Sequence, residues 1–223
     1  MKWVTIMKRV EFVGEVITSD AKKLPLLLLG FVVMSVGIIL IKRSDLGLFA
    51  WGVFHDGLSN VTGLSFGSIT RYLGFIILVF SMIAFKTNLG PGTILNIYLV
   101  GLMIDWADKL ISFIPDGMLE ESILFVIGLV LMNIGKAFYI STRLGAGPRD
   151  GMFVGVSRIT KVDVKYVKPG IEVLVLIIGY ILGGVAGVGT FITMILSGYM
   201  IQYLFKIFHF DPKSQKQRNI IDY

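Results

Sequence analysis

Long apolar runs without charge constrain this chain more than any other feature. Residues 24–41 contain no charged side chain, and several later runs approach 20 residues. About 20 apolar residues in a helix are needed to cross the hydrocarbon core of a bilayer. With 55% hydrophobic and 16% charged residues, the chain is also too apolar for an ordinary soluble domain. The runs predict an all-α, polytopic integral membrane protein.

The charged and metal-binding residue types exclude several other classes. The formal net charge is +6, but the cations flank apolar runs instead of forming a face interleaved with aromatics. Nucleic acid is therefore not an expected partner. Cysteine is absent and only two histidines occur, so no metal site is predicted. No catalytic triad, phosphate loop or dinucleotide fingerprint is present, and we expect neither a cofactor nor an enzyme activity.

Six apolar runs are predicted to span the membrane. They are residues 24–41, 64–85, 93–106, 122–142, 170–182 and 190–205. Two amphipathic segments between them, 46–63 and 147–161, are too short and too polar to cross. We expect each to be a broken or re-entrant helix that follows the first span of its half.

The predicted spans divide the chain into four parts. Residues 24–111 form a first membrane repeat and residues 119–205 a second. Before them, residues 1–23 place apolar side chains at helical spacing among lysines, which predicts an amphipathic helix on the inner leaflet or, alternatively, a basic tail. After them, residues 206–223 form a basic C-terminal tail.

The two membrane parts repeat at a spacing of 98 residues. Positions that carry the same residue 98 further on are Gly30, Val32, Met34, Gly37, Leu46, Gly47, Gly57, Ser59 and Thr62. At a spacing of 97, residues 90–104 align in the same way with 187–201. Shared apolar composition explains this matching poorly, so we interpret it as an internal repeat. Each half then reads span, broken segment, span, glycine turn, span.

Three spans per half predict the orientation of the repeats. An odd number inverts the second half relative to the first, an arrangement that recurs in secondary transporters. With an internal N-terminus, sixteen lysines and arginines lie on the inner side and four on the outer side. This predicts a multi-pass protein of the bacterial cytoplasmic membrane with both termini cytoplasmic. If the amphipathic segments crossed fully, the chain would instead have eight spans and parallel repeats.

A glycine-rich break interrupts the second half at residues 143–151. Glycine and proline disfavour a continuous helix here, and Pro148 suits the first position of a new one. The free N–H groups and dipole of that helix attract anions. Arg149 is therefore predicted to bind a carboxylate or phosphate, together with Gly147 and Asp150. The alternative is that Arg149 pairs with Asp150 or Glu172 and locks the break.

Four further side chains are candidates for binding or coupling. Trp51 and His55 lie four residues apart in the first amphipathic segment and share a helix face, so they could contact a solute. An aromatic belt residue and a solvated His55–Asp56 pair is the alternative. Glu172 and Asp105 are acids within or at the end of a span, which predicts a proton or cation coupling role. Alternatively, Glu172 is a structural partner of Arg149 or Lys136, and Asp105 is an interfacial acid.

The most specific sequence stretches resemble one family. Residues 145–151, Gly-Ala-Gly-Pro-Arg-Asp-Gly, and residues 170–173, Gly-Ile-Glu-Val, are similar to the bacterial YczE/YitT-type integral membrane proteins, in particular the YczE branch. The resemblance covers roughly residues 24–205. It implies about six spans in a bacterial membrane and supplies no reaction. In the first half the family pattern Gly-x-x-Pro-Trp-Asp appears with Trp51 kept, but with Ala50 and Gly52 in place of proline and aspartate.

These features favour a secondary transporter of a small anionic or zwitterionic organic solute, working by alternating access of inverted repeats. The other hypothesis is a scaffold or accessory protein that transports nothing and docks a soluble partner or anionic lipid through its basic inner face. The bilayer is a partner in both cases.

Overall fold

The computed structural model describes residues 18–86, 90–145 and 147–210, and within them every regular element is helical. The helices are α1 (Leu24–Arg43), α2 (Ala50–Thr62), α3 (Phe66–Phe85), α4 (Pro91–Leu95), α5 (Gly101–Leu110), α6 (Met118–Ser141), α7 (Pro148–Thr160), α8 (Val164–Ile181) and α9 (Val188–Ile207). Most of the predicted segments 1–23 and 206–223 lies outside the described residues.

Four helices in the described part of the chain are long and apolar enough to cross a membrane. They are Thr18–Arg43, Phe66–Phe85, Met118–Ser141 and Val188–Ile207. The prediction of an all-α membrane protein is therefore confirmed, and these helices correspond to four of the six predicted spans. The runs at 93–106 and 170–182 are also helical, but each is less regular than the sequence indicates.

The run at 93–106 is a composite of three helical pieces. Helix α4 continues through a π-helical segment, Asn96–Val100, directly into α5. We call the whole element α4/α5. A π turn carries one extra residue per turn and often marks a functional position in a helix. In the second half, the corresponding residues belong to the unbroken α-helix α9.

Helix α8 begins six residues before the predicted start at Gly170. Asp163 caps its N-terminus, accepting a hydrogen bond from the backbone N–H of Lys165, and the helix continues through Pro169. Proline within a helix removes one backbone hydrogen bond and commonly bends it. The early start adds Lys165 and Lys168 to a helix that already contains Glu172, which explains why its composition is less apolar than that of the four spans.

The core of the molecule is an antiparallel pair formed by α1 and α6. Gly30 lies against Gly135, and Gly37 lies against Gly128. At each of these glycines a Cβ atom would collide with the backbone of the facing helix. Because the contacts run in opposite directions along the two helices, equivalent positions of the repeat pack around one central point.

The short helices α2 and α7 each pack on a long helix of the other half. Helix α2 lies on α8, with Gly57 against Gly179, whereas α7 lies on α3, with Gly155 against Phe85. Both short helices contain 13 residues. That length is about 20 Å, less than the roughly 30 Å of a hydrocarbon core. Because each short helix packs on a helix of the other half, these contacts hold the two halves together.

The 98-residue spacing recurs in individual hydrogen bonds. Ser44 Oγ donates to Ile41 O as Thr142 Oγ1 donates to Tyr139 O, Ser59 Oγ to Leu64 O as Ser157 Oγ to Val162 O, and Thr62 Oγ1 to Leu58 O as Thr160 Oγ1 to Val156 O. Between halves, the N–H of Gly189 donates to Leu46 O and the N–H of Gly92 donates to Leu144 O. The turns on either side of the short helices are therefore built alike in both halves.

The packing of the outer helices differs between the halves. In the first half, α3 and α5 are in close contact, with the backbone of Gly67 against that of Gly101. In the second half, α8 and α9 scarcely touch along their described lengths. Gly198, which corresponds to Gly101, faces open space.

Candidate functional site

A cavity of about 590 Å³ lies between the two halves. The first half lines it mainly with apolar side chains and His55, and the second half supplies most of the charged and polar ones. The second-half polar and charged lining residues are Lys136, Tyr139, Arg149, Asp150, Lys168, Glu172, Thr193, Ser197 and Gln202. The cavity thus contains the predicted residues Gly147, Arg149, Asp150, Trp51, His55 and Glu172.

The N-termini of the two short helices meet in this cavity. Helix α2 begins at Ala50 after an extended residue, Phe49, and α7 begins at Pro148 after the extended Gly147. The second residues of these helices, Trp51 and Arg149, occupy equivalent positions of the repeat. They touch each other, with the guanidinium carbon 4.4 Å from the centre of the indole ring. Stacking of this kind contributes about 0.5–2 kcal/mol, depending on how far it is desolvated.

A short hydrogen-bond chain connects Arg149 to the first half. Its Nη2 lies 2.9 Å from Nε2 of His55, and Nδ1 of His55 lies 2.9 Å from Oγ1 of Thr70. The Thr70 hydroxyl donates to the carbonyl of Phe66. Since a guanidinium only donates, Nε2 must accept, and the ring proton must sit on Nδ1. His55 is therefore in its neutral form with a defined tautomer in this arrangement.

His55 contacts protein on both ring nitrogens and is only 1% exposed. The direct contact of His55 with a solute stays a prediction. The structure places the His55 ring at the cavity wall beside Arg149, against the Trp51 and Phe66 rings. From this position His55 can orient the guanidinium.

Asp150 holds the start of α7. One of its carboxylate oxygens, Oδ2, accepts a hydrogen bond from the backbone N–H of Gly147 at 3.1 Å, which satisfies a donor at the helix N-terminus. The side chain remains exposed. Asp150 thus has a structural role and is also available at the cavity surface.

Five charged side chains line the cavity: the cations Lys136, Arg149 and Lys168, and the acids Asp150 and Glu172. None of the five forms a salt bridge with another residue in the described ranges. The alternatives in which Arg149 pairs with Asp150 or Glu172, or Lys136 with Glu172, are therefore not seen as ion pairs. The Lys136 amine instead lies 5.5 Å from the centre of the Phe49 ring.

Two other acids of the sequence analysis lie outside the cavity lining. Asp105 forms an ion pair with Arg71 at 3.4 Å and accepts a hydrogen bond from the N–H of Gly67 at 2.9 Å. Asp56 is buried and accepts a hydrogen bond from the N–H of Val185. Asp105 thus contributes to the contact between α3 and α5, and Asp56 ties α2 to the loop before α9.

Several lining residues were not predicted as site residues. For Lys136 the sequence predicts only an alternative pairing with Glu172, and Lys168 is not among the predicted site residues. An intramembrane lysine is itself a signal of a functional position, so Lys136 could have been found.

The Nε1 atom of Trp51 and the Oγ1 atom of Thr193 are buried without a hydrogen-bond partner among the described residues. Their isolation depends on packing, and no sequence pattern indicates it.

Comparisons with known proteins agree with this architecture. A family model described as "Family of unknown function (DUF6198)" matches residues 21–206. An uncharacterized protein of Haemophilus influenzae is 31% identical over 193 residues, covering 85% of this chain and 86% of the relative. The uncharacterized membrane protein YczE of Bacillus subtilis is 30% identical over 175 residues, covering 78% and 81%. A third relative, the uncharacterized protein YyaS of Bacillus subtilis, is 27% identical over 192 residues, covering 84% and 96%.

No solved structure is found to match the chain. The family match extends from the beginning of α1 to the end of α9, and so includes both halves and the cavity. The resemblance to the YczE branch, seen first in residues 145–151 and 170–173, is confirmed at the level of the whole membrane part. The chain belongs to the DUF6198 family of YczE-type membrane proteins.

Proposed function

We propose that the protein is a secondary transporter of a small anionic or zwitterionic organic solute. It would work by alternating access of two inverted-topology repeats of three membrane helices, each with a re-entrant short helix after its first span. The setting is the bacterial cytoplasmic membrane, with both termini on the cytoplasmic side. The bacterial relatives and the distribution of lysine and arginine support this setting.

The geometry of α1 and α6 supports the inverted relation. These helices occupy equivalent positions of the repeat, and they pack antiparallel through Gly30 with Gly135 and Gly37 with Gly128. A two-fold axis that relates two antiparallel helices is perpendicular to both. Since α1 and α6 are long and apolar enough to cross the membrane, that axis would lie in the membrane plane. This is the relation that inverted repeats require.

The single observation that carries the proposal is the difference between the outer helix pairs. The halves share their turns and hydrogen bonds, yet α3 and α5 are closed while α8 and α9 are open. In an inverted repeat, exchanging the conformations of the halves closes the open side and opens the closed one. In this proposal the chain also adopts a second, oppositely facing arrangement, in which α8 and α9 are closed and α3 and α5 are open.

The cavity favours a solute that carries negative charge. Three cations face two acids, and the N-termini of α2 and α7 add partial positive charge at the same place. Arg149 can bind a carboxylate or phosphate through two parallel N–H donors. In this proposal Asp150 and Glu172 face the ammonium group of a zwitterion, or carry a coupling cation. Aromatic and aliphatic lining residues would contact the organic part.

Flux into proteoliposomes tests the proposal directly. Radiolabelled succinate, glutamate and glycerol 3-phosphate cover dicarboxylate, zwitterionic and phosphate chemistry, and each is compared with protein-free liposomes. The proposal predicts uptake of at least one probe, reduced about 100-fold or more by Arg149→Ala, since a charged, partly buried contact is lost. Arg158→Ala is the matched control, because Arg158 lies on the same short helix with its side chain exposed. Its flux should equal that of the wild type.

The scaffold hypothesis makes the opposite prediction. It requires the exposed cations Arg158, Lys161 and Lys165, which lie around the turn between α7 and α8. Lys168 is unsuitable for this test because it lines the cavity. If no probe is transported, and Arg158→Ala, Lys161→Ala and Lys165→Ala together abolish binding of the nanodisc-embedded protein to anionic liposomes or to a soluble partner, the scaffold replaces the transporter.

A further inference from the structure

The hydrogen bond between His55 and Arg149 is incompatible with a proton on Nε2 of His55. The Nε2 atom of His55 accepts a hydrogen bond from the Arg149 guanidinium at 2.9 Å, and His55 Nδ1 is occupied by Thr70. If a proton binds Nε2, the atom becomes a donor that faces another donor, and two positive charges lie side by side. The bond to Arg149 must then break.

We infer that Nε2 of His55 is the atom for which a proton and the Arg149 guanidinium compete, so that His55 is a positioning residue that couples proton binding to anion binding at Arg149. When Nε2 is protonated, the guanidinium N–H released from His55 needs another acceptor. The acceptors that face the same cavity are the carboxylates of Asp150 and Glu172 and, when one is bound, an anionic solute. The proton remains on His55, and the anion offsets the paired positive charges.

The surroundings of His55 leave Arg149 as the decisive charged neighbour. From α3, the ring contacts Phe66 and Thr70, and from its own helix it contacts Trp51. Lys136, Lys168 and Glu172 face the same cavity and form no ion pair within the described ranges, whereas the other charged groups around this shell have their own partners. Asp56 accepts from the N–H of Val185, Arg71 pairs with Asp105, Lys42 lies over the Phe66 ring, and Asp150 caps Gly147.

Thermodynamic linkage follows from the competition. If an anion draws Arg149 away from His55, it frees Nε2 and raises the proton affinity of the ring. By reciprocity, a proton on His55 raises the anion affinity by the same factor. A proton and an anion would then enter the site together. This consequence rests on the proposed transport function, whereas the competition for Nε2 does not.

Histidine NMR tests the competition in the full chain. The sequence contains two histidines, so His209→Gln in a protein with isotope-labelled histidine leaves the His55 signal alone. We expect the Nδ1–H tautomer with an unprotonated Nε2 at pH 7.5. In Arg149→Met the proton affinity of His55 should rise at least about tenfold, because the competing cation is gone. Arg149→Lys should lie between the two.

Two NMR results would overturn the inference: an Nε2–H tautomer in the wild type, or a proton affinity that is the same within twofold in all three proteins. Arg149→Lys carries the test if Arg149→Met does not fold by circular dichroism and gel filtration. Neither result depends on flux, so failure here and failure of the proteoliposome assay are separate outcomes.

Tryptophan fluorescence provides a second test of the bond. Trp51 becomes the only tryptophan in a Trp3→Phe, Trp106→Phe background. Protonation of His55 should release the guanidinium from the indole and change the Trp51 emission with a single pH midpoint. His55→Gln supplies a carbonyl that accepts from Arg149 but takes up no proton, so the pH dependence should disappear while emission at pH 8 is retained. The same pH dependence in His55→Gln would contradict the proposal.

Discussion

The two halves of this protein share a backbone plan and differ in how tightly it is closed. Ser44 and Thr142 make the same turn hydrogen bond, yet Gly101 is pressed against Gly67 while its counterpart Gly198 faces open space. The difference is therefore confined to the outer helices and spares the turns. The two halves therefore pack their outer helices differently although they make the same turn hydrogen bonds.

The halves also differ in charge. The cavity residues Lys136, Arg149, Asp150, Lys168 and Glu172 correspond, at a spacing of 98, to Ile38, Trp51, Gly52, Thr70 and Gly74 in the first half. A symmetric frame thus carries an asymmetric site. The consequence is that binding chemistry can be altered in the second half while the first half serves as an internal structural control.

The largest difference in stability is expected between substitutions at Gly101 and at Gly198. Gly101→Leu should lower the free energy of unfolding by more than about 3 kcal/mol, because its side chain would collide with Gly67 and Arg71. Gly198→Leu should change stability by less than about 0.5 kcal/mol, since nothing lies within 4 Å of a Cβ there. Thermal or denaturant unfolding in detergent measures both.

Flux measurements provide a second test of the difference between Gly101 and Gly198. Although Gly198→Leu should be stable, its side chain fills the space into which α8 would close, so transport of the positive probe should be lost. A Gly198→Leu protein with wild-type flux would show that the second half never closes as the first half does. Gly198→Ala is the control and should retain most of the flux.

An intermediate effect tests the shared part of the halves. Ser44→Ala and Thr142→Val each remove one buried side-chain hydrogen bond to a helix carbonyl, with donor–acceptor distances of 2.7 and 2.6 Å. Each should reduce the free energy of unfolding by about 1 kcal/mol. Losses that differ by more than about 1 kcal/mol would break the claim that the turns are energetically equivalent.

Among the substitutions that remove an interaction, the smallest loss of stability is expected at the ion pair between Arg71 and Asp105. The two side chains are partly exposed, at 24% and 22%, and lie 3.4 Å apart. Asp105→Asn keeps an oxygen acceptor for the N–H of Gly67 and should cost below about 1 kcal/mol. Its larger consequence should be conformational, because the pair holds α3 against α5 and has no counterpart among the ion pairs of the described second half.

The frame could be predicted because its signals can be read directly from the sequence. Apolar runs and the helix start at Pro148 depend on neighbouring residues, the 98-residue spacing appears when the chain is aligned with itself, and the corresponding helices are present. Helix α8 begins at Val164, six residues before the predicted start at Gly170, and continues through Pro169. Proline near the beginning of a helix loses only one bond and can remain inside it. The earlier start places Lys168 on this helix, where it lines the cavity.

The sequence indicates which residues are candidates for the site, but it does not predict how they contact one another. Trp51, His55, Arg149 and Glu172 were singled out because polar or aromatic groups in an apolar chain need an explanation. Their roles depend on contacts between halves, such as that of Arg149 with His55 across 94 residues. The closure of one outer pair and the opening of the other depend on more than the glycine that both halves share, because Gly198 corresponds to Gly101 whereas Lys165 stands at the position equivalent to Gly67.

Paired spin-label distances in lipid nanodiscs measure whether the two halves exchange their open and closed packings. The chain has no cysteine, so labels at Tyr72 and Leu102 report the first half, and labels at the equivalent positions Gly170 and Tyr199 report the second. In the wild type, the first distance should be the shorter. In Asp105→Asn we expect the two halves to exchange their packings, so that the first distance lengthens and the second shortens. If the first pair loosens while the second keeps its distance, the halves do not alternate and the transporter proposal is contradicted.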